Sequence, residues 1–144
     1  MSTTRFIQAA AAAIVVNLAL HAAIYFLFLR SFFAAHPGGP EELTRLLVRP
    51  PGELVGWALA VSAVTMGLLI TTVMRWAGAR TVGAGLRQGA ILGTLFWASV
   101  NSGLYSSSHH FSGAAAFADF LCSAAVMTAA SAAAAWVLGR PRGG

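Results

Sequence analysis

The chain contains no lysine, a single cysteine and only four acidic residues among its 144 positions. Each shortage excludes something. Charged residues make up 9% of the chain, against about 25% in an ordinary soluble domain, too few to solvate a surface of this size. Cys122 has no partner for an intramolecular disulfide, so a disulfide scaffold is excluded. The nine basic residues are all arginines, and they sit at the ends of apolar segments rather than in one patch. There they can reach lipid phosphates, so the net charge of +5 points to a membrane and not to nucleic acid.

What is abundant is apolar length. Hydrophobic residues are 58% of the chain, gathered into four segments at about 6–29, 54–74, 88–105 and 114–138. Crossing about 30 Å of hydrocarbon takes about 20 largely apolar residues, and backbone polar groups inside lipid must be satisfied within the helix. The expectation is an all-α fold, a bundle of four transmembrane helices forming one domain over 1–144. The opening MSTTRF and its alanine run loosely resemble a signal peptide. The apolar stretch is too long for one and continues through large aromatics, so it reads as an uncleaved first span. In the longest connection, PEELTRLLV reads as a short helix. Pro40 suits its start, Glu41 and Glu42 suit its positive end, and Pro50–Pro51 stop it. Leu43, Leu46 and Leu47 share one face, which suits either a helix lying on the membrane surface or an ordinary loop with one helical turn.

Arginine placement gives the orientation. With four spans, Arg5, Arg75, Arg80, Arg87, Arg140 and Arg142 share one side with no acidic residue. Arg30, Arg45 and Arg49 lie on the other, offset by Glu41, Glu42 and Glu53. The imbalance places both termini in the cytoplasm of a bacterial inner-membrane, multi-pass protein.

Helix association in lipid depends on close backbone approach. Gly85, Gly89 and Gly93 form a small-residue row in the third span, and Ala125, Ala129 and Ala133 form one in the fourth. The two rows suit a tight hairpin within one chain, with a homo-oligomer face as the rival use.

Polar residues inside spans are costly, and Asp119 is the one acidic residue well inside a span. At 1.5 Å per residue, Asn101 and His21 fall near its level; Asn17 lies one turn deeper and Ser62 at comparable depth, with Tyr105 closing the third span. These six define a polar cluster in the outer half of the bundle. It suits either a hydrogen-bonded knot that fixes helix register or a pocket for a proton, an ion or a small polar ligand. His109 and His110 are adjacent in a turn with no cysteine nearby, which does not make a metal or haem ligand set. Trp57, Trp76 and Trp136 suit interface anchoring.

The last two spans, GLRQGAILGTLFWASVNSGLYSSSHHFSGAAAFADFLCSAAVMTAASAAAAWVLG, resemble a loose group of small bacterial four-helix membrane proteins of uncharacterised activity. In that group a glycine-rich third helix ends in a polar or aromatic cluster, and an early aspartate follows in the fourth. This chain departs where Phe120 and Leu121 replace the aromatic-glycine pair that often follows the aspartate. The resemblance implies the four-helix architecture and draws attention to Asn101 and Asp119, without implying an activity or a cofactor. The functional expectation is a small accessory or ligand-binding membrane component whose partners are the bilayer and a membrane protein or a second copy. The alternatives are a subunit of an oligomeric transporter or channel that uses Asp119 for proton or cation coupling, and a membrane-embedded enzyme. The enzyme reading lacks a second acid or a nucleophile–base pair.

Overall fold

The computed structural model describes residues 2–47, 49–109 and 111–141, together with their side chains except those of 44, 45 and 51. It is 84% helical, with no strand among the described residues. The elements are α1 (Thr3–Ile24), a π-helical segment (Tyr25–Leu29), α2 (Arg30–Ala35), α3 (Glu41–Leu47), α4 (Gly56–Trp76), α5 (Val82–Ser107) and α6 (Gly113–Gly139). α1, the π-helical segment and α2 form one continuous rod of 33 residues.

Local chemistry sets these ends. The first rod was expected to stop near Leu29, but it passes Arg30 and ends at Ala35, just before His36-Pro37. Arginine is a good helix former, whereas a proline disfavours helical backbone at the residue before it. α4 ends in a Schellman turn: Ala79 N–H reaches Met74 O (3.0 Å), Gly78 N–H reaches Arg75 O (3.2 Å), and Gly78 takes φ +67°. Thr81 then caps α5 by accepting from Ala84 N–H (3.2 Å), so this helix begins at Val82 rather than near Gln88. Ser112 caps α6 in the same way through Ala115 N–H (3.2 Å).

The rod, α4 and α6 are long and apolar enough to cross a bilayer. α5 has the length, at 26 residues, but dilutes its apolar side chains with Gln88, Thr94, Ser99, Asn101, Ser102 and five glycines. Exposed large apolar residues such as Leu27, Trp57, Leu95 and Trp76 are spread around the outside, an arrangement that water would penalise and lipid would not.

The core is organised on α6. Of its apolar stretch 61% is buried, against 17% for the rod and 28% for α4, because α5, α1 and α4 all pack on it. Ile70, Met74, Met127, Ala130 and Ala134, all fully buried, meet Ala9 and Ala13 at the centre. The glycine row faces α6 along most of the α5–α6 contact. A Cβ on Gly85 would lie 2.7 Å from Ala132 Cα, and one on Gly93 2.7 Å from the Ala124 carbonyl oxygen. The receiving face carries Ala124, Thr128, Ser131, Ala132 and Ala135. This corrects the expected alanine row, since Ala125 is exposed and Ala129 and Ala133 are only half-buried. The correct face is displaced by one residue, about 100° of helix rotation. α4 and α5, though consecutive long helices, barely touch.

Candidate functional site

Both ends of the molecule are clipped. At one, Ser112 Oγ donates to His36 O (2.8 Å), Pro37 bridges to Phe111, and the Phe33 and Phe111 rings lie 5.2 Å apart. At the other, Arg80 donates to Leu138 O (3.2 Å) and Arg5 to Pro141 O (3.3 Å). α5 must therefore run from the Arg80 end to the His36 end, which brings its polar C-terminal half beside the start of α6.

In that half, polar groups from α1 and α5 converge. Asn17 is buried on α1, and its carbonyl accepts from His21 Nδ1–H (3.1 Å). A carbonyl can only accept, so Nδ1 is the protonated nitrogen of this pair. The His21 ring tilts against Trp97 of α5 at 6.1 Å and 54°. One turn further along α5, Asn101 is 3% exposed and donates from Nδ2 to Trp97 O (3.2 Å). Its other amide atom, Oδ1, is buried without a hydrogen-bond partner, as is Trp97 Nε1. Leaving such groups unsatisfied costs about 1–3 kcal/mol each, so an unpaired acceptor here needs an explanation.

Asn101 also lines a groove of about 330 Å³ between α5 and α6. Ala98, Asn101, Ser102 and Tyr105 form one wall, and Gly113, Ala116, Phe117 and Phe120 the other. Each set has the i, i+3, i+4, i+7 spacing of a single helix face. Neither wall contains a charged residue. Tyr105 lies over the start of α6, with a Cβ on Gly113 falling 3.5 Å from its hydroxyl. The Phe117 and Phe120 rings pair at 6.0 Å.

Of the six residues expected to cluster, Asn101 and Tyr105 share the groove; Asn17 and His21 do not line it, though the His21 ring meets that of Trp97, whose carbonyl holds Asn101. Asp119 is half-buried on α6, one turn before Cys122, and is not part of either wall. Ser62 is exposed on α4, where its carbonyl accepts from Thr65 Oγ (3.0 Å), away from the α5–α6 groove. Trp97 was the tryptophan that anchoring left unaccounted for. Its position one turn from Asn101 was the available signal. Two buried hydroxyls without partners, Thr71 Oγ1 and Ser131 Oγ, were not singled out by sequence. Among the described residues no group of three or more His, Cys, Asp or Glu comes together, and His110 lies outside those residues.

No protein-family model matches the chain, and neither a curated protein nor a solved structure is significantly similar to it.

Proposed function

We propose that the protein is a four-span, small-ligand-binding component of the bacterial inner membrane, with its binding groove between α5 and α6 in the outer half of the bilayer. The observation that carries this reading is Asn101, a buried amide whose carbonyl oxygen is unpaired and which forms part of a groove wall. The internal clips support α5 as the remaining span, because the segments that flank it, at Arg80 and Ser112, are held at opposite ends of the molecule. The glycine row is consumed by α6, so a homodimer would need another face. The resemblance to small four-helix membrane proteins agrees with this architecture.

Orientation in this reading follows the arginines. Arg5, Arg75, Arg80 and Arg140 gather at one end, where Arg75 lies 5.9 Å from the centre of the Phe6 ring and Arg140 lies 3.7 Å from that of Trp136. Arg142 falls outside the described residues. That end faces the cytoplasm, and α3, with Leu46 and Leu47 exposed, lies on the outer surface of the bilayer.

Ligand return tests the reading. Protein stripped by prolonged detergent exchange should melt higher after a total membrane lipid extract is added back, because a ligand bound only by the folded state stabilises it. Ala98→Phe, which fills the groove from its α5 wall, should abolish that rise. An equal rise in both proteins would refute the ligand site.

A further inference from the structure

The groove's chemistry narrows what can enter it. Asn101 Nδ2 is held by the Trp97 carbonyl at 3.2 Å, and a flipped amide would set two carbonyl oxygens against each other. The unpaired atom of this wall residue is therefore an acceptor, buried beneath the groove surface, which a ligand must part to reach it. An ionised carboxylate or phosphate, an ester or a ketone brings only acceptors and would leave Oδ1 unpaired. An ammonium would donate, but neither wall supplies a carboxylate, and a bare cation among apolar side chains is strongly disfavoured. Asp119 neighbours Phe120 on α6 without forming part of either wall, so the ammonium remains the competitor to be tested. A hydroxyl fits on both counts. It donates to Oδ1, and its oxygen can accept from the Ser102 hydroxyl of the same wall.

Size and surface fix the rest of the molecule. About 330 Å³ lies at the low end of ligand cavities, enough for one alkyl chain and too little for a two-chain lipid. Phe117 and Phe120 offer that chain an aromatic surface beside Ala98 and Ala116. We propose that the groove binds a neutral single-chain alcohol, with its O–H donating to Asn101 Oδ1 and its chain lying on Phe117 and Phe120. This rests on the groove being a ligand site.

The test uses the full chain in phosphatidylethanolamine–phosphatidylglycerol vesicles and a diazirine-bearing decanol as probe. Cross-links mapped by mass spectrometry should fall within residues 98–105 and 113–120. Excess decanol should compete about tenfold better than decanoic acid, decylamine or decane, the difference expected when a buried polar group is left unpaired. Asn101→Leu should weaken labelling about fivefold, the loss of one hydrogen bond, and Ala98→Phe should abolish it. If Asn101→Leu does not fold, the competition series and Ala98→Phe decide. Better competition by decylamine or decanoic acid, or equal competition by decane, overturns the alcohol while leaving a ligand site. Labelling spread over the lipid-facing helices, or unchanged in Ala98→Phe, overturns both.

Discussion

Adding a single methyl group at Gly89 should part the two helices on which the groove is built. A Cβ there would sit 2.5 Å from Ser131 Cβ and 3.0 Å from Thr128 Cα, and the second of these belongs to backbone that no rotamer change can move. Ordinary carbon–carbon contact is about 3.5–4.0 Å, so α5 and α6 would have to separate by about 1 Å locally. Helices in lipid gain little from hydrophobic burial and depend on such contacts. Overpacking of this kind costs about 1–3 kcal/mol, and α5 has little contact with α4 to fall back on. Gly103→Ala on the same helix is the control, since a Cβ there meets nothing within 4 Å. It should be neutral, or stabilising by up to about 1 kcal/mol through helix propensity. Equilibrium unfolding in mixed detergent micelles measures both. A Gly89→Ala protein as stable as the parent would refute the close α5–α6 approach. Loss of an oligomer with the monomer's stability intact would move the row to an intermolecular face.

Ser112→Ala removes both the cap on Ala115 N–H and the hydrogen bond to His36 O, and should cost about 1–2 kcal/mol in the same unfolding assay. Amide hydrogen exchange should quicken at the start of α6 and around His36 together; a change at only one would show that the clip does not couple them. In a Cys122→Ser background, Ser31→Cys and Ser107→Cys should react with an impermeant thiol reagent in intact cells, while Ser2→Cys should not. The reverse pattern overturns the orientation. Asp119→Asn should fold normally, because it preserves shape and hydrogen-bonding capacity, whereas Asp119→Leu should lower the melting temperature by stranding polar neighbours. Equal melting of the Leu variant and the parent would show that those neighbours add nothing to stability.

Depth within the helices was legible in the sequence, and azimuth was not. Rise per residue set Asn101, His21 and Ser62 near one level, but a level says nothing about which way a side chain points. α4 turns Ala63, Gly67, Ile70 and Met74 to the core, which leaves Ser62 outside. The α6 receiving face failed for the same reason. An alanine-rich helix offers small residues at every angle, so Ala124 and Ala125 are indistinguishable until α5 selects one. The glycine row was readable because its glycines recur every four residues within a helix that otherwise varies. The first rod outran its expected end because hydropathy marks where lipid stops, while backbone chemistry at His36-Pro37 stops the helix. Trp97 was hidden because three other tryptophans suited interface anchoring; its contact with His21 and its buried Nε1 separate it from them.

Native mass spectrometry of the protein released from membrane nanodiscs tests the ligand site most directly. The parent should carry one small adduct that survives until the nanodisc lipids are stripped, and both Asn101→Leu and Ala98→Phe should lose it while keeping the parent's helical circular dichroism. An adduct-free parent, or one adduct retained equally by parent and both variants, would contradict the account and leave Asn101 Oδ1 to a bridging water.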